Sequence, residues 1–297
     1  MLYELPQTIA NGGEIILKEI LFYPVHLSNK GVYGSEDIVK GYSGGEGLQK
    51  PEETILNELR NKLPNMKMLD IGVGAGRTTK YFAPLAKLYV GVDYSEKMIK
   101  ICQQRYRGFP KELSFEVADA RALKSFESNY FDLVLFSFNG IDYMSHQDRL
   151  TALREISRVT KNGGFFCFST HNLNIAFSLC TFRLSKNPVK LFMETRRLIL
   201  MRLLNKKSWK ALRKRVGRQK YMIFNDGAHN FRLKTYYVTP TEQIKQLTEL
   251  EFSSIKIYGL LDGREIKNDS SLMSSMDGWL YYLCNNKQAN LESNPLG

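Results

Sequence analysis

Met68-Leu69-Asp70-Ile71-Gly72-Val73-Gly74-Ala75-Gly76-Arg77-Thr78-Thr79 is the stretch around which this chain is organised. Met68 to Ile71 reads as a buried strand, the glycines as a tight turn, and the residues after them as the start of a helix. Three glycines at alternate positions remove Cβ atoms where the backbone bends sharply and comes close to a ligand. A helix placed next offers that ligand unpaired N–H groups and its positive dipole end. Strand, glycine turn and helix in this order hold nucleotide-like cofactors at the carboxyl edge of a parallel sheet.

The spacing narrows the ligand. A dinucleotide fingerprint is G-x-G-x-x-G/A, with a small residue where the helix packs on the strand. Arg77 occupies that place, and Asp70 stands two residues before the first glycine. A carboxylate there repels a pyrophosphate and suits an ammonium group. With D-x-G-x-G-x-G, the chain resembles the class I S-adenosylmethionine (SAM)-dependent methyltransferases. A ligand-free strand–helix turn is the competing reading of the glycines alone. Leu88 to Asp93 is a second apolar strand ending in an acid, 21 residues after Gly72. An acid at that place accepts hydrogen bonds from ribose hydroxyls. Ser95 is expected to cap a helix from Glu96 to about Arg105. Leu113 to Val117 is a third strand leading to Asp119, and Phe131 to Asn139 is a fourth, almost wholly apolar as a strand covered on both faces should be.

The resemblance implies a cofactor set. Asp70, Gly72, Gly74, Gly76 and Thr78 would surround the amino-acid end, and Asp93 the ribose. Tyr94 and Met98 would flank adenine, with Asp119 on its exocyclic amine and Ala120 and Phe138 alongside. Met98 alone would pass for an ordinary core residue. The implied cofactor is SAM, the product S-adenosylhomocysteine, with no metal.

The remainder of the chain fits around this centre. Residues 1–50 precede the sheet, with one amphipathic helix readable from Ile15 to Tyr23 and six glycines between residues 31 and 47. They read as a flap over the site, with Tyr33 and Tyr42 against substrate, or equally as a leader. Pro51-Glu52-Glu53 opens a helix to about Lys62. A helix from Gln147 to Thr160 is capped by Ser145 and ended by Lys161-Asn162-Gly163-Gly164, the glycine supplying a left-handed cap. Phe165 to Thr170 is the fifth strand, with His171-Asn172 at its carboxyl end. Thr239-Pro240-Thr241-Glu242 opens a further helix as a capping box. Ser254 to Tyr258 and Gly278 to Cys284 form an antiparallel pair, matching the last two strands of the resembled fold. The expectation is an α/β fold: a doubly wound, seven-stranded, mostly parallel sheet, last strand antiparallel, with an inserted basic helical cap. The core spans 51–171 and 236–285, the cap 172–235, and 286–297 is a disordered tail.

From Arg183 to Lys220 there are fourteen Lys or Arg against one acid, Glu194, while the whole chain carries +12. Apolar residues such as Leu191, Phe192, Leu198, Ile199, Leu203 and Trp209 are interleaved, which predicts one or two amphipathic helices with basic outer faces. The readings, in order, are a cap with a merely solvated face, a cap that recruits an anionic substrate, a nucleic-acid surface, and a membrane-surface anchor. No apolar run approaches 18 residues, Glu4 and Glu14 break any signal-peptide pattern, and the four cysteines are scattered. A cytoplasmic enzyme with buried free thiols is expected.

Methyl transfer from a sulfonium is an in-line displacement, so most of the work is positioning. A carboxylate acceptor needs no base, whereas a hydroxyl or an ammonium must lose a proton. His171, at the end of the fifth strand, is the first candidate base and Tyr143 an orienting donor; Asp142 and His146 are further candidates just past the fourth strand, and Asn139, His146 and His229 are placed to touch substrate. Asn139-Gly140-Ile141-Asp142 lacks the N/D-P-P-Y/F tetrad of adenine-N6 and glutamine methylating members, and no cysteine stands where a cytosine-C5 nucleophile would. The expected substrate is a metabolite, natural-product intermediate or short peptide, methylated at oxygen or nitrogen, with carboxylate-bearing acceptors among the options. An RNA methyltransferase, an oxidoreductase and a non-catalytic SAM-binding regulator are the alternatives.

Overall fold

The structure is a computed structural model that describes residues 47–212 and 219–287. The expected helix at Ile15 to Tyr23, the flap tyrosines Tyr33 and Tyr42, and most of the expected tail lie outside the described residues.

The first strand, β1 (Lys67–Ile71), pairs in parallel with β2 (Leu88–Asp93) on one side and β4 (Phe131–Phe136) on the other. β3 (Leu113–Val117) continues the sheet beyond β2, again in parallel. Both faces of β1 are apolar because both are covered. Leu69 and Ile71 join one core with Val134, Phe136 and Phe166, and Met68 joins the other with Tyr89, Leu133 and Leu135. α1 (Lys50–Leu59) and α3 (Glu96–Arg105) contribute Ile55, Leu59, Ile99 and Cys102 to the second core, while α4 (His146–Val159) contributes Ala152, Leu153 and Ile156 to the first. Helices on both faces of a largely parallel sheet are the doubly wound arrangement. α2 (Thr79–Phe82), the helix after the glycine turn, is a single turn long.

β5 (Thr160–Asn172) is the long central strand. It runs parallel to β4 and antiparallel to β9 (Trp279–Asn286), which pairs antiparallel with β8 (Phe252–Gly259). The expected seven-stranded core is thus present, with its antiparallel strand beside the fifth. α8 (Pro240–Glu249) leads into β8, and Thr239 accepts the Glu242 N–H at 3.3 Å as an N-cap. Ser145 caps α4 through the Asp148 N–H at 3.1 Å.

Four details differ from the sequence expectation. α4 ends at Val159 with Thr160 already extended, so Gly163 (φ +77°) bends the start of β5 instead of capping the helix. Ser95 sits at the N-cap of α3 without a side-chain cap bond. The last strand runs on through Asn286, which is fully buried: its side-chain amide donates to the carbonyls of Ser157 at 2.8 Å and Thr160 at 2.7 Å, so the tail begins later. A short helix, α9 (Asp269–Ser274), interrupts the final strand–loop–strand.

The largest departure lies between residues 173 and 238. Beyond short helices α5 (Ala176–Leu179) and α7 (Trp209–Leu212) and the long α6 (Pro188–Leu204), the chain forms a hairpin, β6 (Tyr221–Phe224) and β7 (Thr235–Val238). β7 joins the sheet in parallel with β5 at His171 and Asn172, past the point where β4 stops pairing at Phe168. The segment therefore extends the sheet as well as adding helices. α6 keeps Lys190 and Arg202 exposed, as expected of a basic outer face, but Val189, Phe192, Ile199 and Leu203 are exposed with them, whereas Met201 is buried and Arg197 is directed inward to the Leu179 carbonyl at 2.7 Å. No helix of the described residues is long and apolar enough to cross a membrane.

Candidate active site

The carboxyl edge of β1, β2, β4 and β5 gathers the candidate residues. After β1 the chain turns through Gly72 (φ +66°), Gly74 (φ +56°) and Gly76 (φ +85°), a left-handed conformation that L side chains rarely adopt. At Gly76 a Cβ would also meet the Tyr106 ring at 2.6 Å. Asp93, at the end of β2, holds this turn. One carboxylate oxygen accepts the Gly74 N–H at 3.0 Å and the other the Ser95 N–H at 2.8 Å. Burial pushes the Asp93 carboxyl up from its ordinary value.

Asp70 is buried beneath the turn. It accepts hydrogen bonds from the hydroxyls of Thr78 and Tyr89, and Thr79 Oγ1 lies 2.9 Å from the Tyr89 hydroxyl. Burial raises the Asp70 carboxyl to about 6 despite these donors. Arg77 forms a two-pronged ion pair with buried Glu52 of α1, at 2.6 and 2.7 Å. Glu52 also takes the hydroxyls of Ser137 and, at 3.1 Å, Tyr281. One acid on α1 therefore ties together the glycine turn, the end of β4 and β9. The Arg77 guanidinium lies 5.0 Å from the ring of Phe138, whose edge meets Trp279.

On the side expected for adenine, Asp119 is paired within its own loop. Its carboxylate is gripped by Arg121, with Nη2 at 2.6 Å and Nε at 3.0 Å, which holds it below the usual carboxylate range. Met98 and Ala120 are buried, and Tyr94 is half-buried at the end of β2.

At the end of β4, Phe138 (φ +56°) and Asn139 (φ +60°) are consecutive left-handed residues without being glycine. Strain of this kind concentrates at functional sites. The Asn139 N–H donates to Ser169 Oγ at 2.8 Å, while its side-chain oxygen is buried without a partner. The turn from Gly140 to Tyr143 then drives Asp142 beneath the sheet edge. Asp142 is fully buried and accepts four donors: the His171 N–H and Nδ1, both at 2.7 Å, Thr170 Oγ1 at 2.7 Å and Arg149 Nη1 at 2.6 Å. The carboxylate can only accept, so the imidazole proton sits on Nδ1. Nε2 is left as a buried acceptor with no partner. Tyr143, Tyr237 and Trp279 stand around the ring, with centroids at 6.4, 4.9 and 5.9 Å. Arg149, fully buried, reaches on to Gln243 at 2.5 Å and lies over Tyr236.

The structure brings His171, Tyr143 and His229 together, the last through its ring contact with Tyr143 at 5.3 Å. His146 stands apart: it stacks on Tyr221 at 4.0 Å, and Nδ1 lies 2.8 Å from the Tyr236 hydroxyl. Burial and the nearby Arg149 hold its pKa down. Sequence reasoning assigned no role to Arg149 or Glu52 and did not pair Asp142 with His171. Asp142 and His171 are 29 residues apart, Arg149 and Gln243 94, and Glu52 lies 25 to 229 residues from Arg77, Ser137 and Tyr281, beyond any local pattern. The hairpin had a local signal in the β-rich runs Tyr221-Met222-Ile223-Phe224 and Thr235-Tyr236-Tyr237-Val238.

Residues 69–168 match the family described as "Methyltransferase domain". A ubiquinone/menaquinone biosynthesis C-methyltransferase of Burkholderia orbicola is 36% identical over 108 residues, which is 35% of this chain and 42% of that protein. The chain thus spans about two-fifths of the length of the curated relatives it matches. Among solved structures, a SAM-dependent methyltransferase from Clostridium acetobutylicum aligns over 80% of this chain and 92% of its own, with TM-score 0.54 and 13% identity. One from Mesorhizobium loti covers 79% and 97%, with TM-score 0.52 and 17% identity.

Proposed function

We propose that this chain, whose residues 69–168 match a methyltransferase domain, is a class I SAM-dependent enzyme that transfers the methyl group of SAM to a small acceptor bound at the carboxyl edge of β4 and β5. The observation that carries the reading is the glycine turn held open by Asp93 at the end of β2, inside the matched domain. The residues present fit the cofactor. The left-handed glycines give its amino-acid end close backbone approach, buried Asp70 is an anion for its ammonium, and Asp93 is an acceptor for its ribose. The cofactor supplies an activated methyl group and a neutral leaving thioether. What the chain supplies is position and, for an acceptor that must lose a proton, a base.

That base is His171. Asp142 fixes its tautomer and orientation, leaving the Nε2 lone pair for the acceptor proton. Tyr143 stands between the rings of His171 and His229 and, with them, is assigned to the acceptor side of the site. The imidazole is 2% exposed in this structure. Such a base serves a hydroxyl or an amine. It serves equally a ring carbon activated by a neighbouring phenol, and the curated relatives are named C-methyltransferases. Oxygen or nitrogen methylation of a metabolite, natural-product intermediate or short peptide stays the first reading, and carbon methylation the second.

The test is methyl-label transfer. The protein is incubated with methyl-labelled SAM and a cell extract, and products are separated by mass and placed by NMR. Label in a low-mass product supports the reading, and the labelled atom decides between oxygen, nitrogen and carbon. Label in RNA overturns the small-acceptor assignment. Asp93→Ala should abolish transfer and weaken SAM binding about a hundredfold through loss of two ribose contacts and the turn's anchor. Unchanged affinity in that variant would remove the cofactor assignment.

A further inference from the structure

We propose that the outward face of α6 is a docking surface for an anionic lipid bilayer. The face is defined by what stays exposed. Val189, Phe192, Ile199 and Leu203 are 62%, 60%, 54% and 52% exposed. With Arg196 they follow the spacing 3, 4, 3, 4 along the sequence, which places them on a single stripe of a helix. The helix has 17 residues, and the stripe from Val189 to Leu203 runs about 21 Å along it. Apolar exposure continues into the segment before it, where Phe182 is 48% and Leu184 88% exposed. Among the described residues, large exposed apolar side chains concentrate here, not around the sheet edge that holds the site.

The charge around the stripe selects the occupant. Between Arg183 and Leu212 there are nine Lys or Arg and a single acid, Glu194. Glu194 is bound to Arg197 at 2.8 Å on the inner side of the helix. Lys186 and Lys190 flank the start of the stripe, and Arg202, Lys206 and Lys207 its end, all exposed. Apolar side chains on one face with cations at its ends and flanks are the composition of a helix lying in the plane of a bilayer. The aliphatic groups enter the acyl boundary, and the long basic side chains reach the headgroups. A second copy of the chain would set two such basic surfaces against each other, and like charges at that distance repel. A nucleic acid would meet aliphatic groups where its phosphates need cations.

Sedimentation with vesicles tests this, using the full chain. Phosphatidylglycerol–phosphatidylcholine vesicles should carry the protein down about tenfold or more better than phosphatidylcholine alone, and high salt should weaken the binding. Replacing Phe192, Ile199 and Leu203 together by serine should lower partition about tenfold or more by removing the inserted groups. Lys186→Gln, Lys190→Gln and Lys206→Gln should each lower it about fivefold. SAM affinity, read separately by calorimetry, should stay unchanged in every variant, so failure of the docking surface is distinguishable from failure of the cofactor site. Four results would overturn the proposal. One is no preference for anionic vesicles. A second is a dimer in solution that the triple serine variant dissociates. The third is competition by polyuridylate that the triple variant leaves intact. The last is a triple variant that melts earlier while vesicle binding is absent from both proteins, which means another part of the chain covers the stripe.

Discussion

His171 shows how much a single side chain depends on its neighbours. A histidine at the end of a strand is an ordinary residue until something fixes its tautomer. Here Asp142 does so at 2.7 Å, and Thr170 and Arg149 fix Asp142 in turn. His171→Gln should lower kcat roughly a hundredfold to ten-thousandfold for an acceptor that must be deprotonated. SAM affinity should stay the same. A variant with full kcat would reduce the histidine to a packing role. Asp142→Asn should lower kcat similarly. It should also lower stability, because the fully buried Arg149 loses its counter-charge. The position of His171 was readable in the sequence, since the end of a central strand is where ligands sit in open α/β sheets. The orienting acid was visible only as one of several polar residues past β4.

At the scale of elements, α1 is more than a cover for the sheet. Its Glu52 is 1% exposed and binds Arg77, Ser137 and Tyr281. Glu52→Ala leaves the Arg77 guanidinium buried against Phe138 without its partner, which should cost about 3 kcal/mol in stability. It should also raise the Kd for SAM, because the glycine turn loses a fixed neighbour. Thermal unfolding and calorimetry on one protein sample read both, and an unchanged melting temperature would show that the pair is dispensable. The helix was legible from Pro51 and the acids after it, as was Thr239 as the cap of α8. Capping and proline rules work within one turn of chain, so local sequence suffices for them. The β6–β7 hairpin was not recovered, because short strands gain stability from the sheet they join. α6 is a helix with exposed cations, as expected, but part of its apolar side also faces outward. Periodicity shows that a helix has two faces, and only the packing partner decides which of them turns inward.

For the molecule as a whole, the clearest titration signal comes from Asp70. Its carboxyl lies at about 6 in the folded chain against 3.8 as the ordinary value. The folded state therefore holds this proton more tightly than the unfolded one. The contribution to stability is full below about pH 4 and is lost as pH rises to about 6, a change of about 3 kcal/mol that then stays level. Glu58, Asp119, Glu155 and Glu194 are held low by neighbouring cations, aided at Glu58 by the Tyr258 hydroxyl, and act in the opposite sense, losing stability as pH falls. The difference between the parent chain and Asp70→Asn isolates the one group. Denaturant midpoints should converge toward low pH and separate between pH 4 and 6, with the asparagine variant the more stable above 6. Parallel curves would place the Asp70 proton elsewhere. A cationic ligand at Asp70 favours its ionised form, so SAM should bind more weakly as pH falls below 6 and release a proton on binding there.

The sequence by itself determined the parallel core, the glycine turn, the acid after β2 and the caps at Ser145 and Thr239, and it pointed to the class of cofactor. Each is written in residues close together along the chain, where backbone sterics and hydrophobic period act directly. The tertiary structure decided which acids hold which cations, that Asp142 sits behind His171, that β7 joins the sheet beyond β4, and that the apolar stripe of α6 faces outward. Those outcomes depend on groups brought together from distant positions, and on how much apolar surface each face finds to cover it. No local pattern encodes either.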